Sequence, residues 1–322
     1  MRALVFENLG PLDTGRIVSL PSNALGEGHI RVSVSAAGVN YVDSLMAEGR
    51  YQIKPPTPFI PGGEVVGNVI EIGAGVSDVA VGDRVFAPVG IGGFADEVVV
   101  HEKRVLHLPD TLSDGQAATF MQSYMTAWFA MKVRARVQSG QSMLVLGAGG
   151  GIGVAAVDVA TALGLRVIAA ASSQEKLDLA ASRGAVATIN TSTEDAKERA
   201  KELSGGGVDY VYDPVGGTLG ETCLRALGED GQYIVIGFVA GIPSLPANQV
   251  LLRNRRVTGV DWGAWVGRHQ KENRELLDEV LGLIAEGTLR PIEPHVYPLD
   301  RAIEAMRDLQ DRKVAGKIAL IP

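Results

Sequence analysis

The feature that most constrains the fold is a cluster of glycines at positions 147–153. It lies where an apolar strand pattern, MLVLG, gives way to apolar residues at helical spacing between Ile152 and Leu163. Glycines at such a turn let the backbone approach a ligand closely, and the N–H groups at a helix start attract phosphate. With a second strand following, the pattern predicts a βαβ unit that binds a dinucleotide through Gly149, Gly150, Gly151, Ile152 and Gly153.

Two details refine this prediction. No Gly-Lys-Ser/Thr sequence follows the glycines, so a phosphate-binding loop of the nucleoside-triphosphatase type is excluded. In the following helix, the apolar face contains small residues that would pack on the sheet, and Asp158 is expected to point outward.

Strand and helix patterns alternate regularly through the middle of the chain. Apolar strand patterns at SMLVLG, LRVIAAA, VATIN, VDYVYDP and QYIVIGF are separated by helical patterns at 153–164, 174–182, 194–203 and 217–228. Such alternation predicts a doubly wound parallel sheet of the Rossmann type.

The segments before and after this region have a different sequence pattern. Residues up to about 118 form short β-branched runs separated by Gly and Pro, and the chain ends with the strand pattern GKIALIP. Between these regions, Ser113 and Gln116 have the spacing of a helix capping box. We therefore expect an α/β domain at 119–258 inserted into a β-rich domain formed by 1–118 and 259–322.

Composition narrows the classes of partner. A net charge of −7 over 322 residues, with no basic run, argues against binding to nucleic acid. The single cysteine, Cys223, excludes an internal disulfide and any multi-cysteine metal site. The most apolar segment, at 153–171, is interrupted by Asp158 and Arg166, so no membrane span is expected. We expect a cytoplasmic protein with a small-molecule substrate.

The end of the second strand indicates which dinucleotide is bound. NAD-binding folds carry an acidic residue about 20 residues after the glycines, where it binds the ribose hydroxyls. Here the strand ends in AAASSQEK, so Ser172, Ser173 and Lys176 take the place of an acid. Hydroxyl groups and a cation suit the 2′-phosphate of NADPH. The same residues would also be found if a serine simply capped the next helix and the lysine were solvated.

The assembled motifs resemble one protein family over nearly the whole chain. AAGVNYVDSLMAEGRY, PFIPGGEVVGNVIEIGAGV, VGDRVFAP, GGFADEVVV, YMTAW, LGAGGGIGVAAV, YDPVGG and GQYIVIGFVAG follow in the order typical of it. The chain is similar to the zinc-free quinone oxidoreductase branch of the medium-chain dehydrogenase/reductases, which includes zeta-crystallin-like proteins. The resemblance implies a Rossmann domain inserted into a GroES-like catalytic domain, and a homodimer.

The resemblance also implies roles for residues. Asn40, Tyr51 and Thr126 correspond to positions around the nicotinamide and the substrate carbonyl, at the cleft between the two domains. Further cofactor positions are Thr191, Gly217, Gly237, Phe238, Val239, Asp261 and Trp262. Taken singly, Asn40, Tyr51 and Thr126 have plain structural explanations as turn, packing and helix residues.

Catalytic zinc is not expected. At the three positions that hold zinc ligands in the related alcohol dehydrogenases, this chain has Asn40, Gly63 and Gln122. Without a metal to stabilise an alkoxide, reduction of a quinone or an α,β-unsaturated carbonyl is the chemistry that remains feasible. Two alternatives stay open: an enoyl or acrylyl thioester reductase, and an NADPH-binding protein with little turnover.

Overall fold

The protein is described by a computed structural model that covers all 322 residues and divides into two compact units. One unit contains Met1–Met121 and Ile292–Pro322, and the other contains Gln122–Pro291. The second unit is therefore an insertion in the first, as predicted.

The chain contains the following strands and helices. The strands are β1 Arg2–Val5, β2 Arg16–Ser19, β3 His29–Val39, β4 Glu64–Ile72, β5 Arg84–Pro88, β6 Glu97–His101, β7 Leu106–His107, β8 Ser142–Leu146, β9 Arg166–Ala171, β10 Ala187–Asn190, β11 Val208–Asp213, β12 Leu227–Val235, β13 Arg256–Gly259, β14 His295–Pro298 and β15 Ile318–Ile321. The α-helices are α1 Tyr41–Ala47, α2 Asp114–Thr119, α3 Met121–Trp128, α4 Gly151–Ala162, α5 Gln174–Ser182, α6 Ala196–Ser204, α7 Gly217–Cys223, α8 Ala247–Leu251, α9 Trp262–Val266, α10 Gln270–Ala285 and α11 Ala302–Gln310. None of the helices is both long and apolar enough to cross a membrane.

The unit built from the two chain ends is rich in antiparallel strands. Its seven-stranded sheet has the order β14-β15-β3-β4-β5-β7, with β6 also paired to β3, and β1 and β2 form a separate hairpin sheet. The closing strand β15 lies against β3, where Ala319 is paired with Gly38. Valine, leucine and phenylalanine side chains on alternating positions form one core beneath this sheet.

The inserted unit is a six-stranded parallel sheet of order β10-β9-β8-β11-β12-β13. Counted from β8, this is the 3-2-1-4-5-6 order of dinucleotide-binding folds. All five residues of β8 are buried, as expected for a strand covered by helices on both faces. The predicted fold class is confirmed.

The helical pattern after residue 113 divides into several pieces. The predicted capping box is present: Gln116 N donates to Ser113 Oγ at 3.1 Å, and Ser113 N donates to Gln116 Oε1 at 3.0 Å. However, α2 ends at Thr119, α3 follows from Met121, and a π-helix continues over Phe129–Ala135. Such wide turns are common near functional sites.

The second boundary between the units lies at 291/292, not at the expected 258/259. The reason is that α10 is fastened to the inserted unit. Trp128 Nε1 donates to Glu279 Oε2 at 3.0 Å, and the Lys132 ammonium contacts the same carboxylate. These polar contacts join residues about 150 positions apart, which the local pattern could not reveal.

The expectation that Asp158 points outward is wrong. Its side chain is 2% exposed, and its Oδ2 accepts hydrogen bonds from Tyr124 Oη at 2.7 Å and Arg290 N at 2.6 Å. The polar face of α4 is therefore covered by α3 and by the segment at 290. A buried carboxylate is tolerated here because it is hydrogen-bonded.

Candidate functional site

The predicted cofactor residues all follow the carboxyl ends of strands in the parallel sheet. The glycines follow β8, Ser172 and Ser173 follow β9, Thr191 follows β10, Gly217 lies beyond β11, Gly237–Val239 beyond β12, and Asp261 and Trp262 beyond β13. Because all six strands run in the same direction, their carboxyl ends share one edge of the sheet. In open α/β sheets this edge, at the point where the strand order reverses, is where ligands bind.

The glycine turn is tightly built. Gly147 has φ +62°, and its carbonyl accepts a hydrogen bond from Gly150 N at 3.0 Å. A Cβ on Gly153 would lie 2.2 Å from Gly147 O, so this glycine lets α4 pack against the end of β8. A Cβ on Gly150 would meet only Gly147 O, at an ordinary 3.5 Å. Gly153 is therefore required by the fold, whereas Gly150 leaves room on the side of the turn.

The first turn of α4 is available to an anion. Its N-cap is Gly150, which has no side chain to satisfy the N–H groups of the helix start. The helix is 12 residues long and begins at the turn after β8. These features together fit the pyrophosphate of a dinucleotide.

At the end of β9 the structure places the three residues predicted to select the cofactor next to the glycine turn. A Cβ added to Gly149 would lie 2.2 Å from Lys176 Cβ, so α5 packs directly on the turn. Ser173 is the N-cap residue of α5, yet its hydroxyl makes no capping bond. The capping role considered for this serine is therefore not fulfilled, and no carboxylate lies at the end of the strand.

Thr191 lies beside this segment. Its N–H donates to Ala171 O at 2.9 Å, and the neighbouring Ser192 Oγ donates to Ser172 O at 2.8 Å. The ends of β9 and β10 are thus held together, and hydroxyl groups from both segments share this corner of the sheet edge.

A buried carboxylate connects the turn after β11 to strand β12. Asp213 Oδ1 accepts hydrogen bonds from Val215 N at 2.7 Å and Gly216 N at 2.9 Å, and its Oδ2 accepts one from the Tyr233 hydroxyl. Burial and the neighbouring Asp213 carboxylate raise the pKa of Tyr233, so its hydroxyl stays protonated and donates. Sequence reasoning missed Asp213, although it directly precedes the Pro-Val-Gly-Gly turn.

Close backbone contacts place Gly217 against the segment that follows β12. Gly217 N donates to Gly241 O at 2.7 Å, and a Cβ at Gly217 would lie 2.6 Å from Ala240 O. Phe238, which precedes Ala240 and Gly241 in the same turn, is 44% exposed. An exposed aromatic side chain on a fixed turn is suited to contact a ligand.

Asp261 and Trp262 have structural partners. Asp261 Oδ1 accepts a hydrogen bond from Ala264 N at 3.0 Å and so caps α9, and Trp262 Nε1 donates to Asn273 Oδ1 at 2.9 Å. Trp265 stacks between Phe129 and His269, with ring centroids 4.8 and 4.7 Å away. Within this unit, Trp262 is thus held by a hydrogen bond and Trp265 by ring contacts. A cofactor role for Asp261 and Trp262 stays a prediction.

Asn40 belongs to a buried cluster of polar groups in the other unit. Its Nδ2 donates to Glu64 Oε1 at 3.0 Å, and its Oδ1 accepts from Lys317 Nζ at 2.8 Å. Its backbone N–H donates to Asp43 Oδ2 at 2.7 Å. We call Asn40, Asp43, Glu64 and Lys317 the Asn40 cluster; each of its members is at least nine-tenths buried.

Burial shifts the protonation equilibria of this cluster. It raises the pKa of Asp43 to about 7, against the opposing hydrogen bonds from the Asn40 and Gly62 backbone. Burial also lowers the pKa of Lys317, while Glu64 and Asp43 oppose that change. Sequence reasoning named only Asn40 here. Glu64 follows the two glycines of PFIPGGE, but nothing local connects it to Lys317.

Tyr51 and Thr126 are both partly exposed. Tyr51 follows α1 and donates its backbone N–H to Leu45 O at 3.1 Å. Thr126 lies on α3, in the unit that carries the parallel sheet. Their joint role with Asn40 stays a prediction. No group of three or more His, Cys, Asp or Glu side chains is arranged to hold a metal ion.

Comparison with known proteins identifies the family. Residues 26–110 match the alcohol dehydrogenase GroES-like domain, and residues 151–282 match the zinc-binding dehydrogenase family. Quinone oxidoreductase-like protein 2 homolog of Nematostella vectensis is 38% identical over 92% of this chain and 82% of its own length.

Solved structures agree with this result. The quinone oxidoreductase of Thermus thermophilus, solved also in complex with NADPH, is 35% identical with a TM-score of 0.86 over the full length of both chains. The CurK enoyl reductase is 25% identical with a TM-score of 0.88, over 99% of this chain and 98% of its own. The chain therefore belongs to the zinc-free quinone oxidoreductase branch of the medium-chain dehydrogenase/reductase superfamily and is an oxidoreductase of that zinc-independent type.

Proposed function

We propose that the protein uses NADPH to reduce a quinone or a related α,β-unsaturated carbonyl compound. The observation that carries the proposal is the sheet edge itself. It combines an uncapped helix start at Gly150 with hydroxyls and Lys176, instead of a carboxylate, at the end of β9. The Thermus relative, a quinone oxidoreductase crystallised with NADPH, supports this assignment.

Different residues at this edge bind different parts of the cofactor. The α4 N-terminus and Gly149–Gly153 bind the pyrophosphate, and Ser172, Ser173, Lys176 and Thr191 surround the 2′-phosphate. The turns at Gly217 and at 237–239 support the nicotinamide half. When bound, NADPH supplies the hydride; the protein orients it and excludes competing reactions.

The substrate carbonyl is polarised by neutral donors. Asn40 has two Nδ2 hydrogens and donates one to Glu64. We assign the other to the substrate oxygen. Tyr51 and Thr126 contribute a phenol and a hydroxyl. Hydride addition places negative charge on the substrate oxygen, and fixed donors stabilise that charge without a metal.

The test is an NADPH oxidation assay with purified protein against a panel of quinones, enones and enoyl thioesters, run in parallel with NADH. We expect turnover with quinones or enones and a preference for NADPH. Absence of turnover with every quinone and enone would contradict the proposal.

The same panel tests a second candidate. Structural similarity to the CurK enoyl reductase favours reduction of an enoyl thioester. Turnover confined to thioesters would select that function. Tight NADPH binding without any turnover would instead select the third alternative, a low-turnover NADPH-binding protein.

We also propose a cytoplasmic homodimer. The edge strand β13 has one unpaired side, and Val257 on it is 42% exposed. Leu251 and Leu252, which precede β13 in the chain, are also exposed. Pairing of β13 with a second copy would cover this apolar edge. Cys223 is buried and has no disulfide partner, which suits a reducing compartment. Light scattering on wild type and Val257→Lys tests the dimer, and cell fractionation tests the compartment.

A further inference from the structure

We propose that Lys317 is a positioning residue that fixes the orientation of the Asn40 amide and strengthens it as a donor to the substrate oxygen. The inference rests on the proposed function, because it concerns the donor assigned there to Asn40. Lys317 precedes the last strand, β15, and is 277 residues from Asn40 in sequence.

The two ends of the Asn40 amide face groups of opposite character. Lys317 Nζ, which can only donate, lies 2.8 Å from Oδ1, and Glu64 Oε1 lies 3.0 Å from Nδ2. A rotation of the amide by 180° would place Nδ2 against an ammonium and Oδ1 against the carboxylate of Glu64. Both contacts would then be lost, so a single orientation is strongly favoured.

The same contacts polarise the amide. The ammonium draws electron density toward Oδ1, and hydrogen bonds in a chain strengthen one another where the local dielectric is low. The second Nδ2 hydrogen of Asn40 is therefore a better donor than that of a free amide. Charge that develops on a substrate oxygen is the quantity that such a donor stabilises.

A purely structural role does not fully account for Lys317. An ammonium on a residue that is only 7% exposed is costly, and burial lowers its pKa. Apolar residues of similar volume often replace buried ion pairs without loss of stability. Here the hydrogen-bond partner that the ammonium reaches is the amide oxygen of the residue assigned to the substrate.

The experiment compares Lys317→Met, which removes the donor, with Lys317→Gln, which keeps N–H donors without the charge. Lys313→Met is the matched control, because the side chain of this nearby lysine is 60% exposed and pairs with Asp308 and Asp311. For each variant we would measure kcat and KM for the quinone, the Kd for NADPH and the Tm. Asn40→Ala and Asn40→Ala/Lys317→Met complete a double-mutant cycle.

We expect Lys317→Met to lower kcat by about ten- to a hundred-fold, somewhat less than the loss of a donor itself, with the Kd for NADPH unchanged. Lys317→Gln should recover part of that loss, and Lys313→Met should match wild type. In the Asn40→Ala background, Lys317→Met should change kcat little, because its effect passes through the amide.

Three outcomes would overturn the inference in distinguishable ways. Wild-type kcat in Lys317→Met, while Asn40→Ala is impaired, defeats this inference and leaves the proposed function intact. An equal loss in both backgrounds shows that Lys317 acts independently of Asn40. Full activity in Asn40→Ala removes Asn40 from the proposed function, and this inference falls with it.

If both Lys317 variants fail to fold, the inference can still be tested by NMR on the wild-type protein. The Asn40 side-chain amide can be assigned by NMR through its loss in Asn40→Ala. We expect the Nδ2 protons to exchange with water much more slowly than those of exposed side-chain amides, because the amide is held between Lys317 and Glu64. Exchange as rapid as that of an exposed asparagine would overturn the inference.

Discussion

At the residue scale, the side chain of Lys176 has two parts that can be tested separately. Its Cβ packs against Gly149 so closely that no side chain could fit at position 149. We assign the ammonium at the other end of the side chain to selection of the cofactor. Substitution by alanine retains the packing atom and removes the charge. The residue therefore offers a clean test of cofactor choice.

Lys176→Ala should raise the Kd for NADPH by about ten- to a hundred-fold and leave the Kd for NADH nearly unchanged, since a charge-assisted contact contributes roughly 1.5–3 kcal/mol. Lys176→Glu should weaken NADPH binding further, and added salt should reduce the NADPH preference. Fluorescence titration measures each Kd, with Lys201→Ala on α6 as control. Equal weakening of both cofactors would show that Lys176 does not select the phosphate.

Tyr51→Phe and Thr126→Val each remove one hydroxyl with little change of volume. If these groups act on the substrate, each change should lower kcat/KM by about ten- to a thousand-fold, the range for loss of one catalytic donor. Circular dichroism and Tm should stay as in wild type. Unchanged kinetics in both variants, and in Asn40→Ala, would remove all three residues from the site.

Asp43 should give stability a particular pH dependence. Its pKa in the folded protein is about 7, above its ordinary value of 3.8. The folded state therefore holds the proton more tightly, and this contribution to stability is fully present below about pH 3.8 and is lost as the pH rises through about 7. Asp43→Asn cannot titrate, so its free energy of unfolding should lack this decline. Urea unfolding between about pH 4.5 and 8 measures it, with the exposed Asp230→Asn as control.

At the scale of secondary-structure elements, two glycines at the junction of β8 and α4 are expected to serve different purposes. Gly153 allows the helix to pack on the strand, and Gly150 allows a ligand to approach. Gly153 is in contact with the strand end, whereas Gly150 has space around it. On its other side, α4 carries the buried Asp158, whose carboxylate accepts hydrogen bonds from Tyr124 on α3 and from the backbone of Arg290. The helix therefore cannot move away from the sheet to make room.

Gly153→Ala should consequently lower the free energy of unfolding by about 1–3 kcal/mol or more through overpacking. Gly150→Ala should leave stability close to wild type yet raise the Kd for NADPH, because the methyl group would lie on the ligand side of the turn. Chemical denaturation and titration of the two variants separate these effects. Equal stability of the two variants would contradict this account of Gly153.

At the scale of the whole molecule, we predict that the protein binds no catalytic zinc, although it matches a family named for zinc binding. Residues 151–282 match a zinc-binding dehydrogenase family. Outside that range, we expect Asn40, Gly63 and Gln122 to occupy the positions of the catalytic zinc ligands of the alcohol dehydrogenases, and none of the three is a cysteine or a histidine. Elemental analysis should find well under one zinc per chain, and chelators should leave activity intact. One tightly bound zinc per chain, lost together with activity, would refute metal-free catalysis.

Much of this molecule was determined by local sequence. The glycine turn, the alternation of strands and helices, the capping box at Ser113 and the serines in place of an acid at the end of β9 depend on residues within a few positions of one another. Periodicity and turn chemistry act over that same range, so the parallel sheet and its ligand edge could be predicted.

Tertiary structure alone decided the rest. Lys317 meets Asn40 across 277 residues, and Arg290 meets Asp158 across 132. The assignment of α10 to the inserted unit likewise depends on distant contacts of Glu279. A single sequence does not reveal the distant partner of a polar residue, because the residue type is the same whether the side chain is solvated or buried and paired. Only the folded chain shows which charges are buried, and therefore which ones the site can use.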